Sequence, residues 1–173
     1  MLAAPFLIQY SDKITLRFVA SEWLQRALLV TRIAAKNIRN DQHAIICGFG
    51  RSGQILARML AQENLPYIAL DLDPERVHAA AAAGENAVYG DATRRDALIA
   101  AGLHRATVII ITHTNTRSAI KTLHYVRTLA PTTPVIVRSV DDGDLELLRQ
   151  AGATAVIPEL IEGSMMLASH ALM

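Results

Sequence analysis

The chain alternates between short apolar runs and longer amphipathic stretches over most of its length. Six runs rich in isoleucine and valine predict β-strands: AIIC, YIAL, AVY, TVIIIT, PVIVR and TAVI. Between the strands, helical composition predicts five helices, at residues 53–63, 74–83, 94–101, 116–130 and 144–151. Apolar runs without alternation are typical of strands buried on both faces, and β–α alternation produces parallel pairing through right-handed crossovers. The pattern therefore predicts an α/β fold with a doubly wound parallel sheet of six strands.

The two ends of the chain follow a different pattern. Residues 21–38 carry apolar side chains at helical spacing, with Ser21 as the N-cap, and predict a linker helix. Residues 159–171 predict a final helix after the sixth strand. We therefore divide the chain into a junction with a linker helix at residues 1–40 and one sheet domain at residues 41–173.

Three glycines follow the first strand in the pattern G-x-G-x-x-G and open the first helix of the sheet domain: Gly48, Gly50 and Gly53. This context is typical of a Rossmann-type dinucleotide fold, in which the glycines permit a tight turn, the approach of a pyrophosphate and close packing of helix on strand. The helix N-terminus offers free N–H groups to a phosphate, and Arg51 adds a cation. The segment predicts a site for an adenine nucleotide. The alternative is a close turn in a fold that has lost its ligand.

The second strand ends in acidic residues. Asp71 lies 23 residues after Gly48, close to the roughly 20-residue spacing of an acid that binds a ribose hydroxyl. Asp73 precedes Pro74 and suits the N-cap of the next helix, so we assign Asp71 to the ribose. A carboxylate that faces a ligand repels a 2′-phosphate, which favours NAD, AMP or ATP over NADP. We also expect such a carboxylate to contribute little to the fold.

Further candidate contacts follow the third and fourth strands. The sequence YGDATRRD places Asp91 and Thr93 at the carboxyl end of the third strand, where loops of this fold meet the ligand. The alternative is that one of them only caps the helix that begins at Arg94. Thr112 and His113 end the fourth strand on the same side of the sheet. For His113, a position in the wall of the ligand site or at a helix cap is favoured over catalysis.

Composition and charge narrow the classes of function. The chain of 173 residues has a formal net charge of +1, and 51% of its residues are hydrophobic. These values argue against disorder and against a broad nucleic-acid surface, so we predict no nucleic-acid partner and disfavour a DNA-binding redox repressor. No apolar run approaches the roughly 18 to 20 residues that cross a bilayer, so the chain is not expected to span a membrane by itself.

Side chains suited to catalysis do not form a recognisable pattern. The single cysteine, Cys47, lies in an apolar run and is predicted to be a small buried hydrophobe, in a chain that favours a cytoplasmic location. The six histidines lack the spacing of metal ligands, no G-x-S-x-G elbow occurs, and no substrate domain follows the nucleotide segment. We predict no metal site and no catalytic residue. The alternative is a small NAD-dependent oxidoreductase.

Taken together, the segments HAIICGFGRSGQ, LDLDPERV, VYGDATRRDAL and AGATAVIPELIEGSMMLA resemble the RCK-N (TrkA-N) domains that regulate potassium channels and transporters. The resemblance is strongest to the Kef-type cation:proton antiporters, which are potassium efflux systems. It covers residues 41–173, and the preceding segment resembles the junction from a membrane helix into such a domain. It implies a cytosolic domain at the cytoplasmic face of the inner membrane, attached to a membrane-embedded antiporter domain of the same or a parent chain.

The resemblance also implies a ligand and a mode of action. Such domains bind AMP, ATP or NAD(H) as a regulatory ligand and gate transport through a dimer interface, so a homodimer is expected. Residues 158–173, rich in methionine, are assigned to that interface, with packing back onto their own sheet as the alternative. Glutathione, which acts at the interface of Kef-type members, is a further candidate ligand. The candidate nucleotide contacts are Gly48, Phe49, Gly50, Arg51, Ser52, Gly53, Asp71, Leu72, Asp91, Ala92, Thr93, Thr112 and His113.

Overall fold

The computed structural model describes residues 42–159, and the structural statements below refer to these residues. Six parallel strands form one sheet in the order β3-β2-β1-β4-β5-β6. The strands are β1 (His43–Cys47), β2 (Tyr67–Asp71), β3 (Ala87–Tyr89), β4 (Ala106–Ile111), β5 (Val135–Ser139) and β6 (Ala155–Pro158). The α-helices are α1 (Arg51–Gln62), α2 (Pro74–Ala82), α3 (Arg95–Ala100), α4 (Thr116–Leu129) and α5 (Leu145–Gln150), with 3₁₀ turns at Leu103–Arg105 and Asp142–Asp144.

The predicted fold class and all six predicted strands are confirmed. The largest difference is the start of α1, which was predicted at Gly53 and lies at Arg51. Gly50 has an extended backbone and acts as the N-cap, so the helix begins with two polar residues that the apolar periodicity does not register. The predicted junction and linker helix lie outside the described residues, as does the predicted final helix beyond its first residue, Glu159.

The sheet separates two hydrophobic layers of unequal size. On one face, α3, α4 and α5 contribute the buried side chains of Leu98, Leu123 and Leu148 to the larger cluster. On the other face, α1 and α2 contribute the small side chains of Ala57 and Ala80. Alanines let helices lie close to a sheet, and here α1 packs against β1 and β2, while α2 packs against β2 and β3.

The strand order reverses between β1 and β4, which are neighbours in the sheet. In open α/β sheets a crevice forms at this switch point, beyond the carboxyl ends of the strands. Cys47 ends β1 directly beneath it and is 0% exposed, as predicted. Burial raises the pKa of its thiol to about 12. None of the helices within residues 42–159 is long and apolar enough to cross a membrane.

Candidate nucleotide-binding site

The three glycines of the turn between β1 and α1 differ in the space around them. Gly48 has a φ of +107°, and a Cβ there would lie 2.8 Å from Oγ1 of Thr112. A Cβ on Gly53 would overlap the carbonyl oxygen of Gly48, so only glycine lets α1 lie this close to the end of β1. At Gly50 no atom lies within 4 Å of an added Cβ. The turn is therefore tight at both ends and open at its centre, where a phosphate can approach the backbone.

The N-terminus of α1 carries no side-chain cap. Its N-cap, Gly50, has no side chain to accept a hydrogen bond, and the first turn contains no acidic residue. The backbone N–H groups at this end of the 12-residue helix are not used by a capping side chain. Together with the partial positive charge of the helix N-terminus, they suit the binding of an anion. The side chain of Gln54 donates to the carbonyl of Phe49 at 3.1 Å and holds the turn from the helix side.

Asp71 lies at the end of β2 and is only 6% exposed. Its Oδ2 accepts from the amide of Phe49, and its Oδ1 accepts from the amide of Asp73 at 2.8 Å. The guanidinium of Arg76 contacts both oxygens, with Nη1 at 3.0 and 2.9 Å. The expectation that this carboxylate contributes little to the fold is therefore wrong, because it joins the glycine turn to the start of α2.

Asp73 is the N-cap of α2, as predicted. Its Oδ1 accepts from the amides of Glu75 at 3.0 Å and Arg76 at 3.2 Å, and Pro74 occupies the first helical position. Its Oδ2 also pairs with Nη2 of Arg76 at 3.1 Å. Arg76 therefore bridges the two acidic residues that the sequence assigns to different roles.

The turn after β3 is closed by its own side chains. Oδ1 of Asp91 accepts from the amide of Thr93 at 2.9 Å and from its hydroxyl at 2.7 Å. The following helix, α3, begins at Arg95, and its N-cap Arg94 makes no side-chain cap. The alternative in which Asp91 or Thr93 caps this helix is therefore wrong. Both side chains line a cleft instead.

The end of β4 closes the site from the other half of the sheet. The hydroxyl of Thr112 lies 2.7 Å from the carbonyl oxygen of Gly48, to which it donates, so it supports the glycine turn. His113 follows with a half-buried ring. Burial lowers the pKa of His113, while the charges of Asp71 and Asp91 oppose this shift. The buried Nδ1 of this ring has no hydrogen-bond partner among the described residues.

Two clefts meet at the switch point. The first, of about 440 Å³, lies over the start of α1 and extends to the ends of β5 and β6. The second, of about 330 Å³, lies between the ends of β2 and β3 and the start of α4. Four residues line both clefts: Gly48, Asp71, Arg76 and His113.

Most of the predicted contacts line these clefts. Gly50, Arg51, Ser52, Gly53 and Thr112 line the first cleft. Leu72, Asp91, Ala92 and Thr93 line the second.

Phe49 lines neither cleft. Its side chain is 1% exposed, in the smaller core cluster, and its amide donates to Asp71.

Two features of the site were not predicted from the sequence. They are Arg76 and the ion pair of Arg138 with Glu159, which is 2.6 Å long and lies in the wall of the first cleft. The signal for Arg76 was present, since it stands three residues after the N-cap Asp73 and so belongs to the first turn of α2. No comparable signal identified the Arg138 pair, whose members come from different strand ends. Within residues 42–159, no group of three or more histidine, cysteine, aspartate or glutamate side chains is arranged to hold a metal ion.

The chain is similar to several known proteins. A family model described as the TrkA-N domain matches residues 44–159. The putative K(+) efflux antiporter KefB of Alkalimonas amylolytica is 46% identical over an alignment of 176 positions, which covers 100% of this chain and 26% of that protein. The glutathione-regulated potassium-efflux system protein KefC of Cronobacter sakazakii is 35% identical over 139 residues, 80% of this chain and 22% of that protein. The chain thus spans about a quarter of the length of these curated relatives.

Several solved structures resemble the chain in both fold and sequence, and one of them is a domain of a Kef protein. The Kef CTD of Shewanella denitrificans, in its AMP-bound form, has a TM-score of 0.64 and 26% identity. The similarity covers 76% of this chain and 79% of that one. That domain therefore offers a relative of comparable extent in which a nucleotide is present.

Proposed function

This chain belongs to the TrkA-N domain family, and from that premise we propose that it is the ligand-sensing regulatory domain of a potassium efflux antiporter. The family match confirms the resemblance on which the sequence analysis relied. The two curated relatives are named as K(+) or potassium efflux proteins, and the chain spans 26% and 22% of them. Such shares are typical of one regulatory domain within a larger transporter. We further propose that this domain lies at the cytoplasmic face of the inner membrane.

The ligand of this domain is an adenine nucleotide: AMP, ATP or NAD(H). The observation that carries the proposal is the uncapped N-terminus of α1, with open space at Gly50, beside the buried carboxylate of Asp71. The first of these features suits a phosphate and the second a ribose. The AMP-bound state of the Shewanella denitrificans domain supports AMP as the first ligand to test.

The two clefts suggest where the parts of the nucleotide lie. The phosphate occupies the first cleft, against the amides of α1. The ribose lies at the boundary formed by Asp71, and the adenine occupies the second cleft near Leu72 and Ala92. In NAD(H) the second nucleotide half extends through the first cleft toward Arg138. The assignment of individual contacts remains a prediction.

Regulation follows from a shift between two arrangements of a homodimer. A ligand biases two states only through its difference in affinity for them, and typical couplings are about 1 to 3 kcal/mol. The domain therefore acts by binding rather than by catalysis. No observation on residues 42–159 specifically favours the alternative of a small NAD-dependent oxidoreductase. Glutathione is a second candidate effector, because one relative is named as glutathione-regulated.

Thermal unfolding of the full chain with AMP, ATP, NAD and NADH tests the proposal. A ligand that binds only the folded state adds about 2.7 kcal/mol of stability at a hundredfold excess over its dissociation constant. We expect at least one of the four to raise Tm, with guanosine monophosphate as the control for the base. Absence of a shift with all four at millimolar concentration would contradict nucleotide sensing. Sedimentation of the same samples tests the homodimer, which a monomer at every concentration and ligand state would contradict.

A further inference from the structure

The side chain of Arg76 binds the two carboxylate oxygens of Asp71, which a ribose needs as hydrogen-bond acceptors. Nη1 of Arg76 lies 3.0 Å from Oδ1 and 2.9 Å from Oδ2 of that carboxylate. Arg76 lines both clefts at their boundary, and its side chain is 38% exposed. The guanidinium therefore stands at the solvent side of a carboxylate that is otherwise enclosed.

The acceptor capacity of Asp71 is fully used in this arrangement. A carboxylate oxygen accepts about two hydrogen bonds. Oδ1 accepts from the amide of Asp73 and from Arg76, while Oδ2 accepts from the amide of Phe49 and from Arg76. A ribose that presents its 2′- and 3′-hydroxyls therefore finds no vacant acceptor.

Only one of the three donors to Asp71 is able to leave. The amide of Phe49 belongs to the glycine turn, which Thr112 holds from behind at 2.7 Å. The amide of Asp73 belongs to the capped start of α2. Arg76, in contrast, is bound through a flexible and partly exposed side chain, and Nη2 retains a second partner in Asp73 at 3.1 Å.

We propose that Arg76 is a latch on the ribose site, which a nucleotide must displace from Asp71 in order to bind. This inference rests on the proposed nucleotide-sensing function and adds a specificity-determining residue to it. The displaced guanidinium keeps its ion pair with Asp73 at the boundary between the clefts. Nucleotide affinity is therefore lower than the site alone allows, and only a ligand with ribose hydroxyls competes for the carboxylate.

Exchange of Arg76 for methionine tests the latch. Arg76→Met keeps an unbranched apolar stem and removes the guanidinium, so both oxygens of Asp71 become available to the ribose. In calorimetric titration of the full chain with AMP, we expect the affinity of Arg76→Met to rise about three- to tenfold, as for loss of a partly exposed competing ion pair. Arg76→Lys, which keeps the charge but not the fork of donors, should give an intermediate affinity.

A matched control comes from α3. Arg95 lines neither of the two nucleotide clefts, so Arg95→Met makes the same chemical change away from the site. The affinity of this variant for AMP should equal that of the unaltered chain. Comparison of the unfolding midpoints of Arg95→Met and Arg76→Met shows how much of any change in stability comes simply from the loss of one surface arginine.

The ligand supplies the decisive comparison. 2′,3′-Dideoxyadenosine monophosphate has no ribose hydroxyl and does not compete with Arg76 for Asp71. Its affinity should be the same for Arg76→Met and the unaltered chain, although AMP binds the variant more tightly. Equal gains for both ligands would overturn the latch, because Arg76 would then exclude ligands by its bulk.

The outcomes separate this inference from the proposed function. AMP that binds the unaltered chain but binds Arg76→Met equally or more weakly would overturn the latch and leave nucleotide sensing intact. If AMP binds Arg76→Met and not the unaltered chain, the latch is supported in its strongest form. If neither protein binds AMP, ATP or NAD(H), both proposals fail.

Discussion

The helices α1 and α4 begin at the same edge of the sheet, after neighbouring strands, yet their N-termini differ. The N-terminus of α4 is closed by Asn115, whose side chain accepts from the amide of Ser118 at 2.9 Å. The N-terminus of α1 begins at Gly50 and has no side-chain cap. At α4 the side chain of Asn115 satisfies a backbone amide, so this helix start contributes to the stability of the fold. Where the amides are left open beside a cleft, they are available to a ligand, which supports the proposal that a phosphate binds at α1.

Within the glycine turn, an added methyl group is expected to lower the stability of the fold most at Gly53, where the packing is closest. In Gly53→Ala the added Cβ overlaps the carbonyl oxygen of Gly48, so helix and strand must separate. We expect a loss of at least about 3 kcal/mol in the free energy of unfolding, measured with urea. Stability equal to that of the unaltered chain would show that α1 shifts freely, and the rigid open turn would lose its basis.

At the open centre of the turn, a substitution is expected to affect ligand binding more than stability. Gly50→Ala adds a methyl group where no atom lies within 4 Å. The expected cost in the free energy of unfolding is therefore only the preference for glycine over alanine at an N-cap, below about 1 kcal/mol. The methyl group stands in the path of the phosphate, so we expect the Kd for AMP to rise about tenfold or more, equivalent to about 1.4 kcal/mol. Gly84→Ala, at the end of α2 and away from both clefts, is the control for binding. Unchanged AMP affinity in Gly50→Ala would place the phosphate elsewhere.

Removal of the α4 cap completes the comparison. Asn115→Ala should lower the free energy of unfolding by about 1 kcal/mol, the usual cost of losing an N-cap. Asn115 also lines the second cleft, so we expect AMP affinity to fall in Asn115→Ala, but less than in Gly50→Ala. An equal or larger loss of affinity would mean that both helix starts bind the ligand alike.

The sequence predicted the fold and the backbone of the site because both depend on local constraints. Six apolar runs suffice for a parallel sheet, and Gly48 and Gly53 are required by backbone geometry alone. Side-chain direction is harder to predict, because it depends on what packs beneath. Phe49 stands between two glycines of the motif, yet the core behind α1 and α2 takes its ring.

Arg76 shows a second limit. The sequence assigned Asp71 and Asp73 separate roles, and each assignment considered one acid with one kind of donor. In the structure, the guanidinium of Arg76 binds the carboxylates of both residues at once. Such a bridge depends on the angle between the end of β2 and the start of α2, which periodicity and spacing do not specify.

The burial of Cys47 determines what kind of chemical signal this chain can receive. Electrophiles that consume glutathione alkylate thiolates, and a thiol reacts only when it is deprotonated and accessible. The only thiol in the sequence is 0% exposed, and its pKa is raised to about 12. The folded domain therefore offers no accessible thiolate to an electrophile. Within this chain, a thiol-reactive compound therefore cannot act by alkylating a surface cysteine.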